Sequence, residues 1–281
     1  MVDPRLSSEY VLANWRVLDT GWRDGPTNMA IDEAILHAVS MRKSLPTLRF
    51  YGWDPPCLSL GYAQRWEVVD TVACAQRGWD VVRRPTGGRA ILHIDELTYS
   101  VCVPESEPRV HGGLLASYRR LSDALAAGLE RLGLQPARAQ PDGAQHGADL
   151  GAACFDTPSN FEITVDGRKL VGSAQARKKG VVLQHGTLPL YGDIARIIEG
   201  LSANEERRAE LRRRLLNSAI TLEASLGRRL TYDQAVVEIG AGFASALNLR
   251  LEPGALSDWE IEQAEQIRAD KFGSPEWTRR L

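Results

Sequence analysis

Over the first two-thirds of the chain, short runs of alternating or continuous apolar residues interleave with stretches whose apolar residues recur every three or four positions. That interleaving limits the chain to strands and helices packed on one another, and it excludes a pure bundle or a pure sandwich. Trp15 to Leu18 reads as a strand. Thr27 to Arg42 reads as a helix with Ile31, Ala34, Ile35 and Ala38 on one face, and with Asp32 and Glu33 early, where the helix dipole favours acids. Leu48 to Tyr51 and Cys57 to Leu60 are further strands, separated by Pro55-Pro56. Glu67 to Arg77 is a helix closed by Gly78. Trp79 to Arg83, Arg89 to His93 and Leu97 to Val103 are strands, and Leu114 to Leu132 is a long amphipathic helix stopped by Gly133.

From Gln135 to Pro158 the chain is rich in Pro, Gly, Ala and Asp and reads as a long loop, a feature that is uncommon in compact domains and often functional. Asp166-Gly167 is a two-residue hairpin turn between Phe161–Val165 and Arg168–Ala174. With that turn, Val165 pairs with Arg168 and Thr164 with Lys169, which points Lys169 away from the apolar face of the hairpin. Val181 to Leu190 is the next strand, and from Asp193 onward the pattern is helical and charged. The arginines from Arg207 to Arg214 are interleaved with Glu205, Glu206 and Glu210, the mark of a salt-bridged helix face. The expected organisation is a catalytic domain over 15–250 with a helical extension over 251–281.

Length and charge narrow the function. The chain has 281 residues, 34 Lys plus Arg against 36 Asp plus Glu, and a formal charge of -2, so it has no global field for nucleic acid or an anionic membrane. No apolar run reaches the roughly 18 residues of a membrane span, and the N-terminus lacks a signal-peptide core. Cys57, Cys74, Cys102 and Cys154 are too sparse for a disulfide scaffold and form no metal-ligand spacing, so a reducing, cytoplasmic setting is expected, with no metal.

Three features stand out chemically. In Arg83-Arg84-Pro85-Thr86-Gly87-Gly88-Arg89-Ala90-Ile91-Leu92-His93, adjacent glycines admit close backbone approach to a ligand, and the flanking Arg84, Thr86, Arg89 and His93 supply polar groups. Alone, such a pair is ordinarily a tight strand-to-strand turn with solvated arginines, and its spacing fits neither a P-loop nor a dinucleotide fingerprint. Cys154 lies in the Gly- and Pro-rich loop; an isolated cysteine is ordinarily a packed thiol, but loops are where function concentrates. Lys169, two residues past a hairpin turn, is ordinarily solvated, yet beside a thiol a cation favours the thiolate.

Taken in order, these blocks resemble the biotin/lipoate protein ligase superfamily, and most closely its LipM-type octanoyltransferases. The resemblance is carried by Arg83-Arg84-x-Thr86-Gly87-Gly88-Arg89-Ala90-x-x-His93, Glu96-Leu97-Thr98-Tyr99-Ser100, Ala153-Cys154-Phe155, Gly167 to Gln175, and Gln184-His185-Gly186-Thr187. It implies an α/β (α+β) catalytic domain, a mixed sheet with flanking helices. It implies an acyl pocket walled by Arg84, Thr86, Gly87, Gly88, Arg89 and His93, by Gly172, Ser173, Ala174 and Gln175, and by His185 and Gly186. It also implies that Cys154 carries the acyl group and that Lys169 lowers the thiol pKa. The expected reaction moves octanoyl from octanoyl-acyl carrier protein to the lysine of a lipoyl-domain protein, such as glycine cleavage H protein or a 2-oxoacid dehydrogenase E2, with no cofactor and from a monomer. The alternatives are an ATP-dependent lipoate ligase, an amidotransferase between lipoyl domains, and a non-catalytic lipoyl-domain binder. Ligases carry a third glycine where this chain has Arg89 and need no cysteine, which sets them apart.

Overall fold

The computed structural model describes residues 10–138 and 162–281. In chain order the elements are β1 (Ala13–Arg23), α1 (Gly25–Ser40), β2 (Thr47–Trp53), β3 (Cys57–Leu60), α2 (Thr71–Gln76), β4 (Asp80–Arg83), β5 (Ile91–His93) and β6 (Glu96–Pro104). They continue as α3 (Leu114–Arg131), β7 (Ala137–Arg138), β8 (Ile163–Val165), β9 (Arg168–Lys178) and β10 (Val181–Pro189). Last come α4 (Glu205–Ser218), α5 (Leu222–Leu226), α6 (Tyr232–Ala246), β11 (Leu249–Pro253), α7 (Asp258–Ile267) and α8 (Pro275–Thr278).

Among the described residues a mixed eight-stranded sheet runs β11-β1-β2-β6-β10-β9-β8-β7, and a three-stranded sheet runs β4-β3-β5. Strand alternation sorts the large sheet's side chains onto two faces. Leu48 and Phe50 of β2, with Leu97, Tyr99, Val101 and Val103 of β6, pack with Leu121, Leu125 and Leu129 of α3 and Ile239 and Phe243 of α6. The residues between them, Tyr51, Trp53, Cys102 and Leu183, join Met29, Ile31, Ile35 and Val39 of α1 on the other face. The small sheet packs with α4 and the turn at Ile194–Gly200 through Leu58, Leu60, Ile197, Leu211 and Leu215.

Three expectations are corrected. Asp24 caps α1, its carboxylate accepting from the Thr27 amide at 2.7 Å, so the helix begins at Gly25. Asp32 and Glu33 therefore sit mid-helix and buried, beyond the reach of the N-terminal dipole. The segment 67–77 divides into a short 3₁₀ turn at Trp66–Val68 and α2, because Asp70 caps a new helix by accepting from the Ala73 amide. The region after Asp193 is not wholly helical: β11 adds a parallel edge strand to β1, pairing Ala13 with Leu249 and Trp15 with Leu251. Two inward leucines are too few for a visible period.

The hairpin register is as expected, with Val165 opposite Arg168 and Thr164 opposite Lys169. The arginine run lies on α4 and is ion-paired: Arg207 and Arg214 to Glu210, Arg208 to Asp70, and Arg212 to Asp193.

Candidate active site

Paired residues across a sheet share a face. The rows Arg49/Ser100/His185/Ala174 and Tyr51/Thr98/Thr187/Gly172 therefore project toward α1 and the small sheet. Between the two sheets they leave a cavity of about 80 Å³. Of the residues singled out in the sequence, Arg84, Gly88, His93, Gly172, Ser173, Ala174, His185 and Gly186 line it. Gly186 is required there, since a Cβ at that position would run into the Ser173 hydroxyl and the Gly172 carbonyl.

The other singled-out residues stand back from the cavity. Thr86 is buried behind the wall with its Oγ1 2.6 Å from His185 Nε2. Gly87 is exposed, and Arg89 is partly so. Their carbonyls accept from Arg84 Nη2 at 2.8 and 2.7 Å, which curls the glycine loop around that guanidinium. Gln175 turns to Gln184 and Ser117, at 3.0 Å each. Lys169 is fully buried rather than solvated, and its Nζ donates to Glu162 Oε1 at 2.5 Å. It is Glu162, not Lys169, that faces the cavity. Cys154 lies outside the described residues.

Several side chains that complete the site had no site role in the sequence reading, Glu96, Thr98, Ser100 and Thr187 standing there only within the motif blocks. His93 Nδ1 is 2.7 Å from Glu96 Oε1, and His93 Nε2 is 2.7 Å from the Ser59 hydroxyl. Glu96 also accepts from the hydroxyls of Thr98 and Thr187. A carboxylate at Nδ1 makes that nitrogen a donor. Trp53 stacks on His93 with centroids 4.0 Å apart and donates from Nε1 to Thr98 at 2.8 Å. A second chain starts at Asp32, which accepts from Arg49 Nη1 at 2.7 Å, Ser100 at 2.7 Å and Tyr51 at 3.0 Å. Its Oδ2 is 3.5 Å from His185 Nδ1. The side chains of these two networks are thus bonded to one another, and much of what lines the cavity is aromatic carbon and small residues, a lining suited to an apolar chain.

Charge follows from these contacts. Burial alone would raise the Asp32 carboxyl, but Arg49, His185 and Ser100 outweigh it and hold it below the usual range. Burial pushes His185 below its ordinary 6.5, against the opposing pull of Asp32. In the unfolded chain His185 then takes up a proton at a pH where the folded protein does not, so stability rises with pH across that interval. Urea midpoints are expected to be level above pH 6.5 and to fall as the pH drops below it; in a His185→Gln protein that component of the decline is absent.

Burial likewise raises the described thiols: Cys57 and Cys102 lie well above the ordinary range, and Cys74 is pushed up to about 11. None of the three supplies thiolate at neutral pH. Among the described residues no three His, Cys, Asp or Glu side chains converge as metal ligands, and no helix is long and apolar enough to cross a membrane.

Residues 24–244 match the lipoyl protein ligase A/B catalytic domain. Octanoyltransferase LipM of Kyrpidia tusciae is 46% identical over 274 residues, covering 96% of this chain and 100% of the relative. Octanoyltransferase LipM of Bacillus subtilis is 38% identical over 269 residues, covering 94% and 97%. Among solved structures, the bipartite lipoate protein ligase of Thermoplasma acidophilum superposes with a TM-score of 0.78 at 21% identity, over 95% of this chain and 96% of that one. A lipoate-protein ligase A bound with ATP gives 0.77 at 22% identity, over 96% and 99%. Identities this low speak to fold alone.

Proposed function

The chain belongs to the lipoyl protein ligase A/B catalytic-domain family, and from that premise we propose the reaction it performs. It is an acyltransferase that moves an octanoyl group in protein lipoylation, with a lipoyl-domain protein as acceptor. Identity to octanoyltransferases along nearly the whole chain carries this reading. The cavity's largely apolar lining supports it, being suited to an acyl chain.

The finer mechanism is as follows. The donor is octanoyl-acyl carrier protein. The Cys154 thiolate attacks the donor's thioester carbonyl, forming a new C–S bond and expelling the carrier thiolate. The amine of the acceptor lysine then attacks the octanoyl-Cys154 carbonyl. Collapse breaks the C–S bond, returns the Cys154 thiolate and loses the amine proton to give the amide. Thioester exchange is close to neutral and amide formation is downhill, so the acyl group needs no ATP. Arg84, Thr86, Gly87, Gly88, Arg89, His93, Gly172 to Gln175, His185 and Gly186 form the pocket and the turns behind it. Residues 15–250 act as the catalytic unit and 251–281 as an extension to it, in a cytoplasmic monomer.

The test is intact-mass spectrometry after mixing with octanoyl-carrier protein. An octanoyl adduct should appear without nucleotide and disappear on adding a lipoyl-domain acceptor. Modification of the acceptor that requires octanoate, ATP and magnesium instead would overturn the transferase in favour of a ligase.

Lys169 supports the thiolate as a buried cation held by Glu162. In Lys169→Met the stem remains and the charge goes. The pH curve for alkylation of Cys154 is expected to move up by about one unit, worth roughly 1.4 kcal/mol. Superimposable curves would assign Lys169 another role.

A further inference from the structure

Arg83 and Arg84 are consecutive at the end of β4, and consecutive strand side chains leave opposite faces. Arg84 lines the cavity. Arg83 points the other way, is fully buried, and directs its Nη1 and Nε at main-chain carbonyls. Nη1 donates to Gly61 at 2.9 Å, Tyr62 at 3.3 Å and Gln64 at 2.5 Å, and Nε donates to Thr278 at 3.0 Å. One cation therefore joins the 61–66 loop to the C-terminal segment.

That segment grips back. The Trp277 indole donates to the Arg83 carbonyl at 2.8 Å, and Arg280 donates to the Tyr62 carbonyl at 2.9 Å while lying over the Tyr62 ring at 3.8 Å. The Trp66 amide donates to the Leu281 carbonyl at 2.7 Å. The 61–66 loop in turn interlocks with the glycine loop. The Tyr62 amide donates to the Thr86 carbonyl at 2.8 Å, and a Cβ on Gly61 would collide with the Gly88 carbonyl. Gly88, at φ +93°, is itself part of the cavity wall.

We propose that Arg83 and the C-terminal residues 275–281 are a positioning device for acyl transfer, holding the 61–66 loop against the glycine loop and so setting one wall of the acyl cavity. The inference rests on the octanoyl-transfer reading of that cavity. Its physical basis is that surface loops open locally at low cost unless tied down, and that a wall left mobile must be ordered when the acyl chain binds, which weakens binding. Lysine cannot replace Arg83, because an ammonium on a flexible stem does not reproduce the planar fork that spans two separate segments.

The test uses the full-length double variant Trp277→Ala/Arg280→Ala, both partly exposed positions, beside Arg83→Lys. Site-resolved amide exchange should quicken by about tenfold or more in 61–66 and 84–89 while β2, β6 and β10 stay protected. KM for the octanoyl donor should rise about fivefold or more, with kcat changed less than twofold. Unchanged exchange in the two loops overturns the proposal, as does faster loop exchange with wild-type kinetics. Exchange rising equally in the central strands overturns it too, because the segment would then support the whole fold. Wild-type kinetics in Arg83→Lys count against it in the same way. The exchange readout needs no substrate, so a failure of the octanoyl reading is recognisable separately.

Discussion

Cys154→Ala is expected to yield no octanoyl adduct and to lose turnover by on the order of 10⁴-fold or more, the scale on which covalent catalysts fail without their nucleophile. The sequence places Cys154 in the block Ala153-Cys154-Phe155 ahead of the hairpin, where the resemblance sets the acyl-carrying thiol. The structure removes the competitors: Cys57 and Cys102 are sealed in the core between α1 and the sheets, and burial raises both thiols. Cys74 sits under the Ile194–Gly200 turn with its thiol pushed up to about 11. Single alanine substitutions at those three positions should change stability and leave adduct formation intact. The measurement is intact mass together with acceptor octanoylation for all four variants. Robust turnover by the Cys154→Ala protein would sink the covalent mechanism.

The largest stability effect is expected at Asp32. Its carboxylate and the Arg49 guanidinium are both inaccessible to solvent, 2.7 Å apart, with Tyr51 and Ser100 also donating to Asp32. Asp32→Ala leaves the Arg49 cation buried without its carboxylate, a loss of about 3–5 kcal/mol. For a chain of this size that is roughly a 10 °C fall in melting temperature. Asp32→Leu/Arg49→Met removes both charges and should recover much of the loss, since an apolar replacement of a buried pair is often near neutral. Urea unfolding of the single and double variants is the measurement. Equal destabilisation by Asp32→Ala and the double variant would mean that the ion pair is not what those residues contribute. Because the folded carboxyl is held below its ordinary range, its contribution is full at neutral pH and is lost as pH falls through the folded pKa.

The order of strands and helices up to β10 was largely legible because most of them carry their own period. Helix α3 announces itself by leucines at helical spacing and by Gly133, and the hairpin by Asp166-Gly167 and the alternation before it. The pocket residues were legible as blocks, and Arg84, Gly88, His93, Gly172, Ser173, Ala174, His185 and Gly186 meet in one cavity. Gln175, one residue past Ala174, falls on the far side by the same alternation that brings Ala174 in.

Other parts of the site leave no local mark. Asp32 reads as a helix-dipole acid until the Asp24 cap shows where α1 begins, and its partner Arg49 looks like an ordinary strand arginine. Glu96 and Ser59 acquire meaning only when β5 brings His93 between them. Lys169 reads as solvated because nothing in a hairpin records what will cover it; Glu162 is seven positions earlier, and the Ala219-Ile220 backbone closes over from beyond α4.

By itself, then, the sequence determined most of the strands and helices of the first two-thirds of the chain, which face of each is apolar, and where loops carry unusual glycines and a cysteine. These follow from spacing along one segment, and spacing is local. The tertiary structure alone decided which buried charges pair, which of two adjacent arginines meets the cavity, and that the C-terminal segment grips the 61–66 loop. Those outcomes depend on how faces from distant segments meet, and an ion pair or a carbonyl clamp forms only where packing brings its two halves within about 3 Å, a distance that no periodicity encodes.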